Sequence, residues 1–546
     1  MAKSISFSRL PGGNPIFQDY VKSFERVRHL YSVNYPDPPA QWSSVTHRQG
    51  TTEDRTDLVE GLLDDARRWN CTRQTRQHIE ALRHPDTLAV VTGQQVGLFG
   101  GPLYTFYKAT AAVLWAQALQ ALTGRLAVPV FWMETSDHDF HEVNHIRMLD
   151  PGGDEALLQL PHAPEEKRRI VGTITLNGEI EKLIQRLWAL LPANTYRGPF
   201  LEQLRSFYHP GETLGDAFAR FMAHLFGEDG LVLYDAENAR CKKPLAPLWD
   251  RILASSPELN RLLTEATQQV HRSGYPPQIQ PQNDRLQLFL RTGDVRVPVT
   301  LRGELLHDGR PPEKLGLEEL RRRAERHPEL FIPKVSLRPV VQDYLFPTAA
   351  YIAGPAEIAY LAQLLPLYRQ LGVTPPAVIP RLSVTLIESK VRKVLDKYNF
   401  TPEQLRLGAD PLIHQLLSAD PSNDPVSLFA GARRKWEEIN DELMGGMMAI
   451  DPTLEHTVEK TMERQRQGLD LLEVKAREAI QRKHETLVAQ VRKACVNLMP
   501  GGQLQERRYS LPYYLARYGR SLSLKVRQQC QVDLYRHQLV YLEEGE

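Results

Sequence analysis

Four cysteines in 546 residues, Cys71, Cys241, Cys495 and Cys530, are too few and too scattered for a disulfide framework, and no CxxC pair offers a zinc site. Reduced, buried thiols are expected. No run of about eighteen apolar residues occurs, and the opening MAKSISFSRLPGG has no apolar stretch of the signal-peptide kind, so a cytoplasmic protein with no membrane partner is expected. An excess of one charge is also missing. Lys and Arg total 67 against 66 Asp and Glu, a net charge of +1 that gives no support to nucleic-acid binding. Neither the Walker GxxxxGK[ST] spacing nor GxGxxG is present. What remains is an ordinary globular composition, 42% hydrophobic and 24% charged, in a chain long enough for roughly two to four folding units.

The most informative stretch is Val90 to Lys108, VVTGQQVGLFGGPLYTFYK. It begins as a buried strand, breaks at Thr92-Gly93, passes Gly97, Gly100, Gly101 and Pro102, and takes up a helical pattern at Leu103. A helix entered this way presents unpaired N–H groups to an anion, so the loop reads as a cradle for phosphate or carboxylate. Gln94 and Gln95 can read a hydroxyl or carboxylate, Lys108 can meet a phosphate, and Tyr104 stands in the same turn. A second short strand follows at Leu126 to Met133. Strand, helix and strand, with continuously apolar strands, predict a parallel sheet covered on both faces, with ligands beyond the carboxyl ends of the strands.

The segment after that second strand, FWMETSDHDFHEVNH, places Glu134, Asp137, His138, Asp139, His141, Glu142, Asn144 and His145 within twelve positions. Such a set can transfer protons, clamp an amine or hydroxyl, or hold Mg2+; it fits no zinc signature. Asp137 and His138 are the leading pair, and His145 is expected to pack or cap. Further along, a small β-like piece is expected at 170–176, strand GLVLYDAE resumes the sheet, and a hairpin is expected around Thr292-Gly293. Arg338 and Gln342 can reach an anion, Arg381 likewise, and strand 349–353 runs into Gly354, Pro355 and Glu357, where Glu357 either complements the helix dipole or binds ligand. Apolar positions at three, four and seven residue spacing from Val458 to Ala494, with a partner stripe at Leu428, Trp436, Ile439, Leu443 and Met447, predict an antiparallel coiled coil and a dimer.

These residues together, TGQQVGLFGGPLYTFYKA, VPVFWMETSDHDFHEVNH, GLVLYDAE, RPVVQDYLFPTAAYIAGPAEIAYLAQL, PRLSVT and LQERRYSLPYYLARYG, make the whole chain resemble the bacillithiol biosynthesis cysteine-adding enzymes. The resemblance implies an α/β fold: a Rossmann-like parallel core with connecting insertions, related in outline to class I aminoacyl-tRNA synthetases, plus a coiled-coil domain supporting a homodimer. The expected division is a helical lead-in with the first half of the core at 1–150, an insertion at 151–227, the second half at 228–385 with the hairpin at 285–302, the coiled coil at 386–504, and a tail at 505–546 docking on the core. The implied reaction adds cysteine to glucosaminyl-malate as an amide, with ATP or ADP as the nucleotide. The HIGH and KMSKS signatures of class I synthetases are absent, leaving adenylation without its usual marks. The alternative is a non-catalytic dimeric nucleotide-binding or scaffold protein.

Overall fold

The computed structural model describes residues 3–46, 54–161, 169–308, 311–418, 425–533 and 535–543. The chain forms two units, Met1–Leu386 with Leu504–Glu546, and Ile387–Gln503. Within the first, the elements that matter for the site are β1 (Leu88–Gln94), α1 (Leu103–Thr123), β2 (Ala127–Met133), β3 (Val232–Asp235), β4 (Arg285–Thr292), β5 (Val295–Thr300), β6 (Phe331–Pro333), α2 (Arg338–Leu345), β7 (Thr348–Ala353), α3 (Pro355–Leu361) and β8 (Ala377–Pro380).

Five of these strands form one parallel sheet in the order β8-β7-β1-β2-β3. Counted along the chain, the core strands run 3-2-1-4-5, the order of a doubly wound dinucleotide-type fold. Their side chains are buried on both faces, which is why the strands read as unbroken apolar runs. The helix α1 is buried around most of its circumference, from Thr105 through Val113, as its Ala-rich apolar sequence requires.

Between β3 and β7 the chain inserts a five-stranded antiparallel sheet. The hairpin is formed by β4 and β5, with Thr292 opposite Val295 and Gly293 at φ +62°, and β6 pairs along the other side of β4. The piece expected as β-like at 170–176 is instead a 3-10 turn at Val171–Thr173, held by single bridges from Arg169 to Val295 and Thr175 to Thr213. Close packing accounts for the difference: a Cβ on Gly172 would lie 2.6 Å from Thr135, so the backbone lies directly against that residue.

The second unit is helical: α4 (Ser389–Tyr398), α5 (Ala409–Ser418), α6 (Pro425–Ile450), α7 (Glu455–Lys483) and α8 (Glu485–Leu498). A turn at Asp451–Leu454 sends α7 back along α6, with Arg433 bonded to Asp470 and Glu473 and Trp436 to Gln465, an antiparallel pair. The apolar spacing expected from Val458 to Ala494 is carried by two helices, α7 and α8, that meet at His484. Leu428, Ile439, Leu443 and Leu472, expected between the helices, are more than half exposed in the single chain. Among the described residues no helix is long and apolar enough to cross a membrane. All four cysteines are unpaired and buried, as expected, and burial pushes Cys71 and Cys495 up to about 11.

Candidate functional site

In a sheet of this order the connections leaving β1 and β7 depart in opposite directions, and the space between their carboxyl ends is open. A cleft of about 820 Å³ lies there, walled on one side by Gly93 and Gln94 at the end of β1, Gln95 just after it, and Gly354, Pro355 and Glu357 after β7, and on another by the inserted sheet. Tyr104, Lys108, Glu134, Asp137, Arg338 and Arg381 also line it.

At the switch point Lys108 is buried, and its ammonium donates to Gly93 O at 2.8 Å, Gln94 Oε1 at 3.1 Å and Glu357 Oε2 at 2.5 Å. Those three acceptors use all three of its N–H donors. Glu357 in turn accepts from the Gly354 N–H at 2.7 Å and from Tyr351 Oη at 2.5 Å. Burial alone would raise the Glu357 carboxyl, but Lys108, Tyr351 and the Gly354 N–H hold it below its ordinary range. The first turn of α3 is therefore capped by its own carboxylate.

The glycine loop is also closed, contrary to the anion-cradle reading. The Leu103 N–H donates to Tyr509 O at 2.8 Å, Gly100 and Gly101 donate within their own turn, and Pro102 forms a bridge with Ser510. Gly100, Gly101 and Pro102 do not line the cleft. Their role is conformational: Gly100 at φ +93° lies where a Cβ would come 2.6 Å from Phe221. Gly100→Ala is expected to cost about 2–4 kcal/mol through overpacking and a left-handed backbone, read as a lower midpoint of chemical unfolding.

The acidic segment divides into cleft and support. Asp137 Oδ1 accepts from Arg296 at 2.6 Å and from the His138 N–H at 2.7 Å, and Oδ2 accepts from Gln95 at 2.5 Å. Burial would raise this carboxyl, yet the bonds from His138 and Gln95 and the Arg296 charge hold it well below the usual range. So constrained, Asp137 is a poor proton acceptor and a fixed negative charge. His138 places Nδ1 against both the Arg296 guanidinium and Asp137 Oδ1, where its tautomer decides which one it bonds, and does not line the cleft, so the expected acid–base pair is an ion-pair anchor. Asp139 caps the short helix 140–143, and Asn144 is buried on Leu160 O at 2.9 Å. His141 lies on the exposed side with its carbonyl accepting from His145, which caps as expected. The backbone N–H groups of Val171 and Gly172 hold this loop in place by donating to Asp137 O and Thr135 O.

Glu134 is different. Its carboxylate takes Trp132 Nε1 at 3.0 Å and Ser136 Oγ at 2.6 Å, lines the cleft, and has no cation within 4 Å among the described residues. The counterpart is Arg338. Its guanidinium donates to Gln342 Oε1 at 3.0 Å and Tyr351 Oη at 3.0 Å and stacks 5.8 Å from the Trp132 ring centroid, with no carboxylate within 4 Å among the described residues. Gln342 does not line the cleft; it orients Arg338 and is itself oriented on Asp343. A half-buried guanidinium beside a cleft with only neutral partners is a cation set for an anion.

Arg381 is instead already paired, with Glu506 at 2.6 Å, and Glu506 also takes Ser383 Oγ and the Val384 N–H. Buried His537 closes this network on Ser383 and Thr385 at 2.8 Å each, and burial pulls its imidazole down to about 4. A histidine with a folded value below its unfolded one stabilises fully above about pH 6.5 and loses that stabilisation as pH falls toward 4, a swing on the order of 3 kcal/mol. Unfolding midpoints measured between pH 7 and 4 are expected to show this loss in the wild type and a shallower one in His537→Gln.

Arg296, Phe289, Arg285, Lys334 and Glu506 stand at or behind the cleft although nothing local in the sequence marks them. Arg296 lies 159 residues from its partner Asp137, and only the inserted sheet brings them together. Comparison with known proteins agrees with this architecture. "Bacillithiol biosynthesis BshC, N-terminal Rossmann-like domain" matches residues 2–382, and "Bacillithiol biosynthesis BshC, C-terminal coiled-coil domain" matches residues 384–542. The chain belongs to the BshC family. Relatives include proteins named "Putative cysteine ligase BshC" from Salinibacter ruber, 36% identical over 96% of both chains, and Koribacter versatilis, 33% identical over 95% of this chain and 96% of the relative. A third, from Chlorobaculum tepidum, is 33% identical over 86% of this chain and 85% of its own.

Proposed function

We propose that this protein is a carbon–nitrogen ligase of bacillithiol biosynthesis that joins cysteine to the amine of glucosaminyl-malate, with ATP supplying the energy. The names of the relatives support cysteine as a substrate, and the matched family models support a place in bacillithiol biosynthesis. The observation in the molecule that carries the reading is that a carboxylate, Glu134, and a guanidinium, Arg338, line one switch-point cleft with neither held in a direct ion pair among the described residues. Amide formation needs an amine held against an activated carboxyl group. Glu134 and the fixed charge of Asp137 attract the ammonium form of an amine and place it; Arg338 draws in a carboxylate. Since both helix N-termini at the switch point are capped, the nucleotide phosphates are assigned to side-chain cations of the cleft.

The second unit is proposed to pair with that of another copy. The exposed Leu428, Ile439, Leu443, Ile450, Leu471 and Leu472 give it an apolar stripe to bury, and sedimentation is expected to give twice the 62.3 kDa chain mass. The reaction is tested by incubating purified protein with cysteine, glucosaminyl-malate and ATP and identifying products by mass spectrometry. The amide together with AMP or ADP is expected, with AMP marking adenylation and ADP an acyl phosphate. Nucleotide binding without amide would favour a non-catalytic nucleotide-binding protein.

A further inference from the structure

The loop that follows β6 places a second cation next to Arg338. The Leu337 and Arg338 N–H groups both donate to Lys334 O at 2.9 Å, so a single turn of chain, which leads into α2, separates Lys334 from Arg338. Both line the cleft. The Lys334 ammonium lies 5.3 Å from the Phe289 ring centroid and has no hydrogen-bonding or carboxylate partner among the described residues. The same ring carries Arg296 at 4.8 Å, but Arg296 is committed to Asp137. Lys108 is likewise committed to Glu357 and Arg381 to Glu506. Arg285 has Asp284 at 3.8 Å, and Arg507 is exposed, where water satisfies it. Among the described residues, Lys334 and Arg338 are thus the two partly buried cations of the cleft with no carboxylate within 4 Å; Asp284 acts on the first, and Glu134 and Glu357 on the second, only from farther off. Burial, with Arg285 nearby, pulls the Lys334 ammonium down to about 8, and Asp284 offsets this only in part.

We infer that Lys334 and Arg338 form a two-point clamp for a substrate carrying two anionic groups close together, either the two carboxylates of a malyl group or the diphosphate of a nucleotide. A single carboxylate, such as that of cysteine, engages only one of the two and is discriminated against. The inference rests on the proposed reaction for its choice of ligands, but its test does not depend on turnover.

Glucosaminyl-malate and ADP are titrated separately, by calorimetry, into the full-length wild type, Lys334→Met and Lys334→Arg. One of the two ligands is expected to lose affinity roughly tenfold or more in Lys334→Met, the loss of one charge-assisted hydrogen bond, with Lys334→Arg retaining most of it and the other ligand unaffected. Loss for glucosaminyl-malate assigns the clamp to the dicarboxylate, and loss for ADP assigns it to the diphosphate. In the wild type the same ligand is expected to bind more weakly as pH rises above 8, a dependence absent from Lys334→Arg. Unchanged affinity for both ligands in Lys334→Met overturns the clamp, as does a wild type that binds neither. A protein that shows the expected binding pattern yet makes no amide would overturn the proposed reaction and leave the clamp standing.

Discussion

Replacing Arg338 with methionine is expected to lower kcat/KM for amide formation by roughly 10²–10³-fold, about 3–4 kcal/mol, while changing the stability of the free protein little. The two effects separate because of what the guanidinium touches. Gln342 and Tyr351 are neutral, so the unliganded protein gains no ion pair from holding this charge. Removing it relieves a desolvated cation but leaves the Gln342 carbonyl oxygen short of a donor at about 1–3 kcal/mol; the terms oppose, and the net change should stay within ~2 kcal/mol. Arg338→Lys keeps charge but loses the planar fork and should recover only part of the activity. Steady-state kinetics beside thermal unfolding checks this. A variant that is fully active, or one whose activity falls only in proportion to lost stability, would show that Arg338 is a packing residue.

Lys108→Met should behave in the opposite way, losing about 3–5 kcal/mol of stability, because it strands the Glu357 carboxylate among buried groups. Adding Glu357→Gln to that variant removes the stranded charge, and most of the loss should return, since the glutamine still accepts from the Gly354 N–H. Chemical denaturation of the two single variants and the double variant measures the coupling directly. Additive losses would mean that the pair contributes little and that the switch point is held by other contacts.

The parallel core was legible in the sequence because its strands are short, apolar on both faces and bounded by turn residues, so local pattern and tertiary role coincide. Glu134, Asp137, Gly93 to Gln95 and Gly354 to Glu357 were legible for the same reason: they follow strand ends, and strand ends meet at the switch point. The glycine loop misled because the same sequence serves an open helix N-terminus and a covered one; the cover is Tyr509 and Ser510, some four hundred residues later. Asp137 and His138 misled similarly. Two adjacent titratable residues look like a proton relay until Arg296, from the inserted sheet, fixes one of them as a salt-bridge partner. Lys334 stands four residues before Arg338 but lies ahead of α2, where no helical periodicity marks it. In the helical unit, periodicity located the antiparallel pair but could not separate positions buried within the chain from those left exposed, because both follow the same apolar repeat.

Substrate anions are expected to meet Arg338 in the switch-point cleft. A crystal structure of the protein with cysteine and glucosaminyl-malate tests that most directly. It is predicted to show a substrate carboxylate within hydrogen-bond distance of the Arg338 guanidinium and an amine near Glu134. Substrate bound elsewhere, with Arg338 still contacting only Gln342, Tyr351, Tyr360 and the Trp132 ring, would contradict it.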